Sequence, residues 1–266
     1  MCPLARVPER VPDDDCPVLP PRIRAVVLDA DSVLTDLVHV QAATWTFVLD
    51  DYLCTHAPGS GAAGPDPQME VARFLDGSHL LSAVTSFLEA RGLPVDSFDE
   101  AARITHDLAV HQQEMLRRYL RHYGIGLRRG TAGLLTALRA QGIACAAVSG
   151  TARARGLLVA RGVLPLLDVV LDGDDQARLR LPTRPDPALL HHAARLLGAG
   201  PRETAVVDAS PYGVAAAARG GFGRVVGLTP AGDVQQMTEM FRHGADVVVH
   251  DLDELGVRSG LVGAAA

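Results

Sequence analysis

The first quarter of the chain combines one short apolar run with a longer stretch of helical spacing. Residues 23–28 are aliphatic apart from one arginine, which predicts a buried strand. Residues 36–53 then follow the 3.6-residue period of a helix. Prolines and glycines recur in residues 55–67, so we predict a flexible loop there.

The next block has helical spacing from residue 70 to about residue 122. Leu80, Val84, Phe87 and Leu88 fall at positions i, i+4, i+7 and i+8, as on one face of a helix. No alternating or β-branched run interrupts the block. We therefore predict a small all-helical unit.

Strands and helices alternate along the rest of the chain, which is typical of a parallel sheet covered by helices on both faces. The strand at residues 23–28 belongs to the same sheet, so the helical block is an insertion between the first strand and the others. The predicted fold class is α/β. We predict helices at residues 130–141, 152–161, 187–197, 213–219 and 234–242, and strands at residues 143–148, 168–171, 204–207, 224–227 and 245–249.

The predicted domain boundaries follow from this alternation. Residues 1–21 contain several prolines and three consecutive aspartates, and we expect a poorly ordered leader. The α/β core is predicted to consist of residues 22–37 and 126–255, and the helical cap of residues 38–125. Residues 256–266 form a tail.

Charge and composition exclude several classes of function. The net charge of −6 argues against a nucleic-acid partner or an anionic membrane surface. No apolar run approaches the roughly 18 residues that span a bilayer, and the N-terminus lacks the apolar core of a signal peptide. The four cysteines are scattered and are predicted to be reduced thiols of a cytoplasmic protein. The oligomeric state stays open.

The chain contains no lysine, and all 25 basic residues are arginine. Avoidance of lysine codons in a GC-rich genome explains this composition most simply. The chemical consequence holds for any cause, because Schiff-base catalysis needs a lysine amine. We therefore exclude a Schiff-base enzyme.

Polar residues follow several of the predicted strands at their carboxyl ends, where parallel α/β sheets bind their ligands. Asp29 and Asp31 follow the first strand, Ser149 follows the second, and Asp208 ends a later one. Arg184 lies in a proline-rich loop between Ser149 and Asp208 in the sequence. Each of these motifs alone has a structural explanation, since D-x-D occurs in turns and serine often caps a helix. Together they predict a chemical site.

This order of motifs resembles the haloacid dehalogenase-like (HAD) phosphohydrolase superfamily, and within it the β-phosphoglucomutase-like branch with a helical cap. The resemblance extends over residues 24–255 and includes the stretches FLEARG at 87–92 and GFGRVVG at 221–227. It implies a Rossmann-like three-layer core with a parallel sheet, plus an inserted all-helical cap. It also implies phosphoryl transfer on a small phosphorylated metabolite.

The resemblance assigns roles to the two aspartates of the first motif. Asp29 corresponds to the nucleophile that forms an aspartyl-phosphate, and Asp31 to the general acid and base. The family uses Mg²⁺, and the resemblance places its ligands at Asp29, Asp31 and Asp208.

The phosphate-binding positions of the family correspond to Ser149, Gly150 and Arg184.

Three substitutions distinguish this chain from the family pattern. Ser32 replaces the glycine of D-x-D-G, and Arg184 replaces a lysine. The fourth motif usually has an acidic pair, which here falls on Asp208 and Ala209, so one metal ligand is replaced by alanine.

The predicted cap also departs from the pattern of the mutases. Leu80 stands where a mutase has a phosphate-binding arginine, and Gln41 stands where it has a histidine. Trp45 matches the aromatic residue of the family. We expect Gln41, Trp45 and His79 to contact the substrate.

Acidic residues also follow the strand predicted at residues 168–171, namely Asp172, Asp174 and Asp175. They could supply a metal ligand, but a solvated loop is the simpler interpretation.

Three functions remain open from the sequence. The first is a Mg²⁺-dependent phosphatase that acts on a small phosphorylated metabolite, such as a sugar phosphate. The second is a catalytically weakened HAD domain that binds a ligand or a partner. The third, β-phosphoglucomutase activity, is disfavoured by Leu80 and Gln41. The missing lysine excludes a phosphonate-cleaving relative.

Overall fold

The computed structural model describes residues 18–57 and 80–255, which belong to two compact units. The first unit contains residues 18–35 and 126–255, and the second contains residues 36–57 and 80–125. The predicted domain boundaries stay a prediction.

The second unit consists of helices in the part of it that the structure describes. They are α1 (Leu37–His56), α2 (Leu80–Ala90) and α3 (Phe98–Tyr123). Ser97 caps α3 by accepting a hydrogen bond from the Glu100 N–H at 3.2 Å, and α3 ends before Gly124, which has a φ of 68°. An apolar cluster joins the helices, and its buried members are Val48, Leu49, Leu53, Val84, Phe87, Leu88, Ile104 and Leu108.

Within the predicted all-helical unit, a turn separates α2 from α3. Gly92 has a φ of 75°, a left-handed conformation that ends a helix, and Pro94 follows it. The Leu93 N–H donates back to the Leu88 carbonyl at 3.0 Å. Residues 70–79 of the predicted unit lie outside the described residues.

The first unit is built on a six-stranded sheet in which each pair of neighbours is parallel. The strand order is β3-β2-β1-β4-β5-β6, so β1 lies between β2 and β4. The predicted fold class, an α/β Rossmann-like core, is confirmed. The strands are β1 (Ala25–Asp29), β2 (Ala144–Val148), β3 (Val169–Leu171), β4 (Thr204–Asp208), β5 (Arg224–Leu228) and β6 (Val247–Val249).

Helices cover both faces of the sheet, because alternate strand residues point to opposite faces and both sets are apolar. Val26 and Leu28 pack with residues of α4 and α5, and Val27 packs on the other face with residues of α7, α8 and α9. The helices of this unit are α4 (Thr131–Ala140), α5 (Ala154–Ala160), α6 (Gly173–Arg178), α7 (Ala188–Leu196), α8 (Pro211–Arg219) and α9 (Val234–Arg242).

Helix α6 is not predicted from the sequence, and the predicted start of α8 is two residues too late. Asp172 caps α6 by accepting hydrogen bonds from the N–H groups of Asp174 and Asp175, so the expected solvated loop is instead the first turn of a helix. Helix α8 begins at Pro211 rather than Gly213, because proline is tolerated in the first turn of a helix.

Two further features concern the ends of the chain and membranes. Val18 and Leu19, which lie in the predicted leader, pack against the core of the first unit. Residues 1–17 and 256–266 lie outside the described residues. Among the helices that the structure describes, none is long and apolar enough to cross a membrane.

Candidate active site

The sheet register brings three polar residues to one edge. Asp29 is the last residue of β1 and lies opposite Val148 of β2, so Ser149 follows directly beside it. Leu28 lies opposite Val207 of β4, which places Asp208 next to Asp29 on the other side. The predicted meeting of these strand ends is observed.

Asp29 is buried, and one of its oxygens is fully used by local donors. Its Oδ1 accepts hydrogen bonds from the Asp31 N–H at 3.0 Å, the Ser32 N–H at 2.7 Å and the Ser32 hydroxyl at 2.7 Å. These donors belong to the single π-helical turn Ala30–Leu34 that follows β1. Its Oδ2 therefore remains for contacts outside the turn.

Asp31 lies beside Asp29 in a buried position. The Ser149 hydroxyl donates to Asp31 Oδ2 at 2.6 Å, and the Thr151 hydroxyl lies 3.5 Å from both carboxylate oxygens. Burial raises the pKa of Asp31 to about 7, with a further contribution from the Asp29 charge, while the Ser149 hydrogen bond and Arg184 oppose the increase. The two aspartates thus have different electrostatic surroundings.

Ser149 does not cap the following helix. Helix α5 begins at Ala154 after the N-cap residue Arg153, and Ser149 precedes it by a short loop that contains Gly150. Ser149 is fully buried, its hydroxyl reaches Asp31, and it accepts a hydrogen bond from the Thr151 N–H at 2.8 Å. The interpretation of Ser149 as a helix cap is therefore wrong.

Arg184 reaches the same edge and bridges two carboxylates. Its Nη2 donates to Asp29 Oδ2 at 2.6 Å, and its Nη1 lies 3.2 Å from Asp208 Oδ2. Burial lowers the pKa of Arg184, but the Asp208 and Asp29 carboxylates outweigh it and hold the pKa above its ordinary value. The side chain is 26% exposed, so the guanidinium is a partly buried, permanently charged group.

Asp208 is 1% exposed and is held by the start of α8. Its Oδ1 accepts a hydrogen bond from the Ser210 N–H at 2.8 Å. Burial raises the pKa of Asp208 to about 7, although Arg184 opposes the increase. A Cβ atom at Gly213 would lie 2.0 Å from Asp208 Oδ2, so only glycine fits there.

The donor atoms suit Mg²⁺, but their arrangement does not fit it. Carboxylate oxygens are the ligands that Mg²⁺ prefers, and Asp208 Oδ2 is buried without a hydrogen bond of good geometry among the described residues. However, the Arg184 guanidinium contacts Oδ2 of both Asp29 and Asp208. Within residues 18–57 and 80–255, no group of three His, Cys, Asp or Glu side chains is arranged to hold a metal ion.

The acidic residues after β3 are engaged elsewhere. Asp172 caps α6, and the Arg155 guanidinium lies 3.7 Å from Asp172 Oδ2 and 3.1 Å from Asp175 Oδ2. The hydrogen bond from Arg178 lowers the pKa of Asp175. These residues stabilise a helix start rather than supplying free ligands.

The predicted substrate contacts of the cap belong to the other unit. Gln41 and Trp45 lie on α1, and Trp45 packs partly buried against the apolar cluster of that unit. Leu80 is the first residue of α2, and His79 lies outside the described residues. The role of these residues in binding a substrate stays a prediction.

Sequence reasoning missed contributions of Ser32, Thr151 and Gly213. Ser32 replaces a glycine of the family pattern, and its hydroxyl and N–H both donate hydrogen bonds to Asp29. The signal was available, because an aspartate followed three residues later by a serine N–H is a common local capping arrangement. The contact of Gly213 with Asp208 could not be found from spacing alone.

Comparisons with known proteins agree with this architecture. A family model for haloacid dehalogenase-like hydrolases matches residues 23–221. A β-phosphoglucomutase from Mycobacterium bovis is 34% identical over 243 residues, which cover 89% of this chain and 93% of that protein. A trehalose-phosphate phosphatase from Mycobacterium leprae is 34% identical over 131 residues, which cover 49% of this chain and 29% of that protein.

Solved structures share the fold. The crystal structure of a HAD family hydrolase from Deinococcus radiodurans, with bound phosphate and sodium, has a TM-score of 0.66 and 24% sequence identity. The match covers 88% of this chain and 93% of that one.

Proposed function

The chain belongs to the haloacid dehalogenase-like hydrolase family, and we propose that it is a phosphatase acting on a small phosphorylated metabolite, such as a sugar phosphate. The family assignment confirms the resemblance inferred from the sequence and, with it, an enzyme of the phosphatase or phosphotransferase type. The proposal rests on one observation, the contrast between Asp29 and Asp31 at the end of β1.

Asp29 has the surroundings of a nucleophile. Both of its oxygens accept hydrogen bonds, Oδ1 from its own turn and Oδ2 from the Arg184 guanidinium. Its Oδ1 is occupied by donors of its own turn, so Oδ2 is the oxygen that attacks phosphorus. The attack forms an aspartyl-phosphate and breaks the bond between phosphorus and the leaving oxygen.

Asp31 has the surroundings of an acid that can work near neutral pH, since its pKa is about 7. It gives its proton to the leaving oxygen. In the second step it takes a proton from water, which attacks phosphorus and releases inorganic phosphate. The bond between phosphorus and Asp29 Oδ2 breaks, and both aspartates return to their starting states.

Ser149, Gly150 and Arg184 would bind the phosphoryl group. Ser149 already donates its hydroxyl to Asp31, and Arg184 donates to Asp29 Oδ2. A phosphate bound here would take over the guanidinium donors, which match phosphate oxygens in geometry. This exchange would free Asp29 Oδ2 for attack.

Mg²⁺ is the ion that members of this family typically use, and its use by this chain through Asp29, Asp31 and Asp208 remains a proposal. The chain's own residues carry each step of the mechanism, because the described arrangement does not fit a metal. The expected cytoplasmic location also stays a prediction.

Two alternatives have specific support. The similarity to a protein named β-phosphoglucomutase favours a mutase, against which stand Gln41 and Leu80. Conversion of β-glucose 1-phosphate to glucose 6-phosphate, followed by NMR, would establish that activity.

The second alternative is a weakened domain that binds a ligand without turnover. It is favoured by Ala209 and by the contacts of Arg184 with Asp29 and Asp208.

The experiment that tests the proposal is a screen of phosphate release from phosphorylated metabolites, including sugar phosphates, with and without Mg²⁺. We expect release from at least one sugar phosphate. If no phosphate ester is hydrolysed under either condition, the phosphatase proposal is wrong and the binding domain replaces it.

A further inference from the structure

Arg184 contacts the two carboxylate oxygens that a cation at this site would use. Its Nη2 lies 2.6 Å from Asp29 Oδ2, and its Nη1 lies 3.2 Å from Asp208 Oδ2. These carboxylates belong to neighbouring strands, so one guanidinium spans the site.

The other oxygens of the two carboxylates are engaged by local N–H groups. Asp29 Oδ1 accepts from Asp31 and Ser32, and Asp208 Oδ1 accepts from Ser210. Each Oδ1 therefore faces the donors of its own turn. A cation entering between β1 and β4 would meet the two Oδ2 atoms, which Arg184 already contacts.

We propose that the Arg184 guanidinium occupies the cation position of this site, so that Arg184 and a divalent cation compete for Oδ2 of Asp29 and Asp208. Two cations cannot both contact the same pair of oxygens, because their repulsion in a partly buried site is strong. Two buried carboxylates without a counter-ion would also be costly. The guanidinium meets this need in the metal-free protein, and Ala209 provides no further carboxylate for a metal.

The consequence is weak binding of Mg²⁺ to the free protein. Substitutions that remove the bridge should strengthen that binding, which is the reverse of what the loss of a ligand does. Loss of one charge-assisted contact corresponds to roughly 5- to 150-fold in a dissociation constant, so we expect changes of that order.

The test is calorimetric titration of the metal-free, full-length protein with MgCl₂, in the absence of any phosphate ester. Arg184→Gln removes the positive charge and the two Nη groups that contact the carboxylates, and it should tighten Mg²⁺ binding by about tenfold or more. Arg184→Lys keeps the charge on a compact ammonium that leaves room beside one carboxylate. It should also tighten binding, though by less.

Arg155→Gln is the matched control, because Arg155 likewise bridges two carboxylates at a strand end of the same unit. Its Mg²⁺ affinity should equal that of the wild type. Circular dichroism establishes that each variant is folded, and Arg184→Lys provides a second test if Arg184→Gln does not fold.

Three results would overturn the proposal. One is equal Mg²⁺ affinity in the wild type and in both Arg184 variants. Another is weaker Mg²⁺ binding by Arg184→Gln than by the wild type, because Arg184 would then support the cation instead of competing with it. The third is equal tightening by Arg155→Gln. The titration involves no turnover, so its outcome is independent of whether the phosphatase proposal holds.

Discussion

Two clusters of aspartates lie at the carboxyl ends of strands in the same sheet, and an arginine bridges two carboxylates in each cluster. In the β1/β4 cluster (Asp29, Asp31 and Asp208), Arg184 joins two carboxylates. In the β3 cluster (Asp172, Asp174 and Asp175), Arg155 joins two others. The sequence presents both clusters in the same way, as acidic residues that follow a buried strand.

The environments of the clusters differ in their effect on the carboxylates. Burial raises the pKa of Asp31 and of Asp208 to about 7, whereas hydrogen bonds lower the pKa of Asp175. Asp172 uses one oxygen to cap its own helix. Burial therefore dominates the pKa values of Asp31 and Asp208, whereas hydrogen bonds from arginine dominate that of Asp175.

The largest expected difference between the clusters is in catalysis. Asp29→Asn should lower kcat for phosphate release by at least about 1000-fold, because an amide cannot act as the nucleophile. Asp172→Asn is the matched control and should keep wild-type activity, since asparagine caps a helix as well as aspartate does. Steady-state phosphate release from both purified variants measures the difference.

A loss of activity in Asp172→Asn as large as in Asp29→Asn would contradict the distinction between the two clusters. Circular dichroism spectra of the two variants should match that of the wild type.

The next difference is in the pH dependence of stability, and its sign is opposite in the two clusters. Asp31 has a folded-state pKa above its unfolded value of 3.8. Its contribution to the free energy of unfolding is fully present below that value and is lost as pH rises to about 7. Asp175 has a lowered pKa, so its contribution is present above the unfolded value and is lost as pH falls below it.

Urea unfolding across the pH range tests both signs. Asp31→Asn should lessen the loss of stability between about pH 4 and pH 7. Asp175→Asn should lessen the loss on acidification. If Asp31→Asn leaves the loss of stability between about pH 4 and pH 7 unchanged, burial does not raise the pKa of Asp31.

The smallest expected difference concerns packing at the β1/β4 cluster. Gly213→Ala would place a Cβ atom 2.0 Å from Asp208 Oδ2 and should lower the free energy of unfolding by about 1–3 kcal/mol. Gly133 is the control, because it lies exposed within α4 and a Cβ atom added there would point into open space. Gly133→Ala should raise stability by up to about 1 kcal/mol. Equal effects of the two substitutions would contradict a tight contact at Asp208.

Much of the fold could be predicted from the sequence, because the strand and helix periods are clear and parallel strands share one ligand-binding edge. Asp29, Ser149 and Asp208 could be placed together for that reason. The break at Gly92 and helix α6 were missed, since both depend on local capping rather than on apolar spacing.

The bridge made by Arg184 lay beyond sequence reasoning. The resemblance indicated a basic group for phosphate, but spacing along the chain cannot show that a loop side chain reaches both Asp29 and Asp208. The burial of Asp31 and Asp208, which raises their pKa values to about 7, likewise depends on the packed structure.

The central claim is that Asp29 forms a covalent phosphoryl intermediate, and trapping that intermediate tests it most directly. The protein is mixed with a sugar phosphate that it hydrolyses, quenched with acid during turnover, and treated with borohydride, which reduces an aspartyl-phosphate to homoserine. We predict homoserine at position 29, by peptide mass spectrometry, only in samples that contained the phosphate ester. Phosphate release without modification at position 29, or modification of a different aspartate, would contradict the account.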